Sequence, residues 1–96
     1  MMEVKDATFI RMGFYQSGID TIKDLLAEHG RDELASTIEA LQVARPSTSY
    51  TVFYTVRLNV TDWETISDAF LEHSNTPWEA SLAEEINDRL RNHGWR

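Results

Sequence analysis

Two Glu-His pairs, Glu28-His29 and Glu72-His73, stand 44 residues apart in a chain of 96, and they are the first candidates for chemistry. A histidine beside a carboxylate suits a shared metal site or a pH-sensing pair. Neither pair has a third ligand at a recurring distance, and the chain has no cysteine, which excludes disulfides, thiolate nucleophiles and cysteine-held zinc. Both histidines fall where a helix is expected to end, and there histidine serves the last carbonyls and the helix dipole. No glycine-rich phosphate loop and no nucleophile-and-base constellation is present. The expectation is a binding protein without catalytic residues, metal or cofactor.

The second chemical set is Arg11, Arg45 and Arg57. All 16 acidic residues lie outside 7–19 and 40–61, whereas these three arginines lie inside those windows. A net charge of −7 opposes non-specific nucleic-acid binding and anionic membranes, so this segregation is what leaves room for local anion contact. Alternating strands also avoid acids for structural reasons. With 42% hydrophobic and 26% charged residues, the chain reads as one globular domain, 1–96. An early Glu3 and Asp6 and the lack of a long apolar run argue against a signal peptide or membrane span, so a cytoplasmic protein is expected.

The elements that must position these residues are written twice. Sliding 7–30 onto 51–74 matches Phe9 with Phe53, Thr21 with Thr65, Ile22 with Ile66, Asp24 with Asp68, and the Glu-His pairs with each other. Class is kept at Met12/Val56, Phe14/Leu58, Ser17/Thr61 and Leu26/Phe70, and the match resumes four residues later with Leu34/Leu82, Ala35/Ala83 and Ile38/Ile86. Such a period marks two copies of one supersecondary unit.

Each copy reads as strand, helix, helix. Tyr50, Val52, Tyr54, Val56, Leu58 and Val60 alternate with Thr51, Phe53, Thr55, Arg57 and Asn59, the period of two of a half-buried strand. Thr61 with Glu64 and Thr76 with Glu79 form two capping boxes, the second with Pro77 at the first helical position. Trp63, Ile66, Ala69 and Phe70 mark one apolar face, and Trp78, Leu82, Ile86 and Leu90 another, which places both tryptophans in the core. Trp95 lies past the helix end. In the first copy Ile10, Met12 and Phe14 point inward, Ser17 with Asp20 caps a helix carrying Ile19, Ile22, Leu25 and Leu26, and Asp32 caps another with Leu34, Ile38 and Leu41. The expected organisation is unit one at about 7–44, a polar linker at 45–49, and unit two at about 50–94. A lone strand leaves its ladder unpaired, so the two strands are expected to form a two-stranded antiparallel ribbon over four helices, an α+β fold with a tandem β-α-α repeat.

Thr55-Val56-Arg57-Leu58, the helix that follows, and Ser74-Asn75-Thr76 before a helix with Leu82 and Ile86 resemble the ribbon-helix-helix family of the Arc and Met repressors. Ala27-Glu28-His29-Gly30-Arg31 leading to Asp32 resembles the same junction in the first copy. Family members are usually intertwined homodimers of one unit, so this chain would be a covalent pseudo-dimer, acting as a monomer or dimerising again. The resemblance implies a transcriptional regulator whose ribbon enters the DNA major groove, with phosphates held at the N-termini of the second helices. Carried over, the base-reading face is Phe9, Arg11 and Gly13 from one strand and Phe53, Thr55, Arg57 and Asn59 from the other. Phe9 and Phe53 suit base stacking or packing against a partner equally.

The acidity also fits a different class, a small acidic interaction module with the same fold. Its carboxylate-studded helices would capture a basic protein partner, as small phage-encoded inhibitors that mimic nucleic acid do.

Overall fold

The structure, a computed structural model, describes residues 4–45 and 52–95. A single 3-10 turn at Lys5–Ala7 precedes β1 (Phe9–Tyr15), α1 (Gln16–Glu28), α2 (Asp32–Leu41), β2 (Val43–Arg45), β3 (Phe53–Asn59), α3 (Val60–His73) and α4 (Pro77–Asn92). The fold is α+β, four helices and a three-stranded antiparallel sheet of order β1-β3-β2.

The third strand corrects the expected two-stranded ribbon. Val43 pairs with Thr55, Ala44 with Tyr54 and Arg45 with Phe53. Arg45 therefore belongs to the sheet rather than to a linker, and 46–49 lie outside the described residues, as do Tyr50 and Thr51 of the expected second strand. Val-Ala-Arg is too short to show a period of two, and all three residues are exposed, so no burial pattern announced this strand. Between β1 and β3, the Gln16 N–H donates to the Val52 carbonyl and the Val60 N–H to that of Thr8, each at 2.9 Å. The antiparallel register between those two bonds sets Met12 opposite Val56 and Arg11 opposite Arg57.

The chain packs as two compact units, Arg11–Arg57 and the residues on either side of it. In Arg11–Arg57 the core is Met12, Phe14, Ile19, Ile22, Leu25, Leu26, Ile38 and Val56. Helix α1 begins one residue before Ser17, so the expected Ser17 cap lies inside the helix, its carbonyl accepting from the Thr21 hydroxyl at 2.7 Å. Tyr15 takes the N-cap position and supplies no side-chain bond. At the other end Gly30 adopts φ 78°, and the Arg31 N–H returns to the Leu26 carbonyl at 2.7 Å, a left-handed closure that a side chain would strain. Asp32 is the first residue of α2 and not its cap. Only Ile38 of α2 is buried; Leu34 is half-buried and Leu41 exposed, so its apolar stripe is thinner than the sequence suggests. Lys23 ties α2 to α1, with its ammonium 2.8 Å from Glu39 and 3.2 Å from the Gln42 side-chain oxygen.

The flanking unit is better filled. Ile10, Leu58, Val60, Trp63, Ile66, Ala69, Phe70, Leu82, Ala83, Ile86 and Leu90 are buried. The Trp63 indole N–H donates to the Ile10 carbonyl at 2.8 Å, and the buried Ser67 hydroxyl to Asn87 at 2.7 Å, so this core carries its polar atoms bonded. The expected Thr61–Glu64 box is replaced: α3 starts at Val60, and the Asn59 side chain accepts from the Asp62 N–H at 2.8 Å. Thr61 instead donates to Asp6, and Glu64 pairs with Lys5 at 3.0 Å. At Thr76–Glu79 the cap half of the expected box forms, the Glu79 N–H reaching the Thr76 hydroxyl at 3.2 Å, while the Glu79 carboxylate accepts from that hydroxyl at 3.1 Å. Trp78 is 49% exposed and not core, because α4 turns its first-turn position to solvent. Trp95 is half-buried, and its N–H closes α4 on the Leu90 carbonyl at 2.9 Å beyond Gly94.

Candidate nucleic-acid interface

Residues directly opposite each other in a sheet share a face. Tyr15, Phe53 and Arg45 therefore form one row across the outer face of the Arg11–Arg57 unit, Gly13, Thr55 and Val43 the next, and Arg11 with Arg57 the third. Their strand neighbours Met12, Phe14 and Val56 are buried, which fixes this face as the outer one. Arg11, Arg45 and Arg57 are all exposed, and no residue of the three strands is acidic.

Charge is divided as unevenly as the surface. Arg11–Arg57 holds six acids against five basic residues, a net −1, while the rest of the chain holds ten acids against four, a net −6. The acidity that opposes anion binding thus belongs almost wholly to the other unit. Arg11 and Arg57 face each other as a closely spaced non-hydrogen-bonded pair, a placement of like charges that folding disfavours by about 0.2–1 kcal/mol. Arg45 steadies its own side chain on Thr55, Nε to Oγ1 at 3.4 Å.

The aromatic members, Tyr15 exposed and Phe53 half-buried, are held in place by their neighbours. A Cβ on Gly13 would clash with the edge of the Phe53 ring, so the missing side chain is the seat of that ring. Tyr15 meets that ring edge-on, with centroids 5.5 Å apart and planes at 77°. Of the residues expected to read bases, Arg11, Phe53, Thr55 and Arg57 come together on this face, joined by Arg45, expected only as one of three basic residues in the carboxylate-free windows, and by Tyr15 and Val43, which the sequence reading left out. Tyr15 was hidden by its place at the strand-to-helix junction. Phe9 is 48% exposed in the other unit. Asn59 caps α3 with its oxygen and donates its amide N–H to the Asp6 carbonyl at 3.3 Å, so both ends of that amide have structural partners.

The helix N-termini that the family resemblance assigns to phosphates differ from that pattern. Helix α2 carries Asp32 and Glu33 in its first turn, which already satisfy its dipole with negative charge. His29 closes α1 through its backbone N–H, and His73 Nε2 lies 3.9 Å from Glu72. Among the described residues no group of three His, Asp or Glu side chains is placed to hold a metal ion, and no helix is long and apolar enough to cross a membrane.

Compared with known proteins, the chain matches no family model, no curated protein and no solved structure.

Proposed function

We propose that this protein binds DNA through the outer face of its Arg11–Arg57 unit, as a regulator of ribbon-helix-helix type. The observation that carries this reading is the opposition of Arg11 and Arg57 on a face without carboxylates, in the unit that holds only one of the seven net negative charges. Guanidinium groups carried at opposed strand positions of one face suit an anion such as phosphate, which accepts their forks in a bidentate manner. The tandem plan has support in the ribbon: β3 begins 44 residues after β1, and its centre pairs Met12 with Val56, also 44 apart. Self-complementary pairing of two copies about a two-fold axis requires that coincidence.

A basic protein partner is the competing possibility, favoured by an open groove of about 700 Å³ lined by Asp20, Asp24 and Glu39 over Ala27, Ala35 and Ala40. Lys23 already stands in that groove between Asp20 and Glu39, so a basic partner would have to displace a cation that the fold supplies.

The test is retention of random-sequence DNA, duplex and single-stranded, by the purified protein across a salt series. Parent protein is expected to enrich a motif, with a log–log salt slope near −3 for about three neutralised phosphates. The Arg11→Ala/Arg57→Ala variant should lose retention while its thermal midpoint holds or rises, since the opposed like charges are removed. Unchanged retention by that variant, or capture of a basic protein lost on charge reversal at Asp20 and Asp24, would sink the proposal.

A further inference from the structure

We propose that the ligand of this face is a single, unpaired nucleic-acid strand, with bases stacked on Tyr15 and Phe53 and phosphates held by Arg11, Arg45 and Arg57. This rests on the reading that the face binds nucleic acid and specifies the form it takes. Strand β2 is the first reason. Strands lie about 4.8 Å apart, so three of them put the outermost axes about 10 Å apart before any side chain or backbone width is added. A major groove about 12 Å wide admits a two-stranded ribbon. Beside Phe53 and Thr55 the sheet is three strands wide, so that half exceeds such a ribbon.

The second reason is the chemistry presented there. Tyr15 is 56% exposed, and the Phe53 ring lies over Gly13, held edge to face against it. Gly13 has no positive φ, so the position needs absence of a side chain and not backbone freedom; what it accommodates is the aromatic ring. Arg45 follows Phe53 in the same row, and Arg11 with Arg57 stands four residues along the strands. Flat aromatic surface and guanidinium groups on one open sheet suit a strand whose base faces are free, whereas stacking hides those faces inside a duplex. Duplex binding has a use for the three arginines but none for the aromatic pair.

Fluorescence anisotropy with labelled oligothymidine and with a duplex of the same length, on the full chain, decides the matter. The parent should bind the single strand at least tenfold tighter than the duplex, and Tyr15→Ala should weaken single-strand binding by about tenfold, the loss expected of one stacked base. Tyr15→Phe should restore it, which a merely structural change at an exposed site would not require. Gly13→Ala, which unseats Phe53 without touching an arginine, should weaken the single strand and leave any duplex binding unchanged. Tighter binding of duplex, or a Tyr15→Ala variant equal to the parent, overturns the inference and leaves the proposed DNA-binding role standing. Failure to bind either form overturns both.

Discussion

The two strand-helix-helix segments share a plan and differ in how they are held. The segment from β3 through α4 has side-chain caps on both helices, Asn59 and Thr76, a tryptophan bonded to backbone, and four buried residues on its second helix. The segment from β1 through α2 has no side-chain cap at either helix start, one buried residue on its second helix, and a surface lysine as its main polar tie. Polar ties are denser in the segment from β3 through α4, whereas the outer sheet face draws on both segments, Arg11 and Tyr15 from one and Phe53, Thr55 and Arg57 from the other. Corresponding positions of the two segments therefore answer to different packing demands.

Substitution at equivalent sites tests that division. Trp63→Ala should cost about 3–5 kcal/mol in urea unfolding, through lost packing and an unbonded Ile10 carbonyl, while Ile19→Ala at the matching site should cost about 2–3. Equal losses would remove the contrast. Asn59→Ala should cost about 1–2 kcal/mol as a lost cap, and Tyr15→Ala, its counterpart, less than about 0.5. Hydrogen exchange should find α2 opening well below the free energy needed for α4, since one buried residue anchors it against four.

Lys23 sharpens the same point through pH. Its hydrogen bond to Glu39 outweighs partial burial and raises its pKa above the usual lysine value. The folded state therefore holds the proton more tightly, and the stabilisation is present at neutral pH and lost as pH rises through the raised pKa. Lys23→Met should abolish that alkaline loss and cost about 0.5 kcal/mol at neutral pH, read in α2 exchange. The smallest effect is expected at Asp62, whose pKa is raised by burial and then by the Asp6 carboxylate. Ionising it disfavours the fold, so Asp62→Asn should give a slight gain at neutral pH that vanishes in acid below the ordinary carboxylate range. A gain persisting in acid would contradict this cause.

Period and class carried much of the fold. The inward set Ile10, Met12, Phe14, Val56 and Leu58 followed from alternation alone, and the helices from their apolar spacing. What stayed hidden depended on partners distant in sequence. Asn59 beat Thr61 to the cap because the strand ends one residue earlier than the polar tract implies, leaving Thr61 for Asp6. Trp78 carries the spacing of a core residue, yet its place in the first turn leaves nothing packed over much of it. Three arginines were legible as a charge gap, but the row of Tyr15, Phe53 and Arg45 exists only once β2 pairs with β3.

Sheet order has a further consequence for how the protein is made. Among the described residues strand β1 finds its sheet neighbour in β3, so a nascent chain completes α1 and α2 before that partner of its first strand has been synthesised. At roughly 5–20 residues per second the first strand waits seconds for its ladder. Refolding of the full chain should therefore run at the slower pace of high contact order despite its four helices.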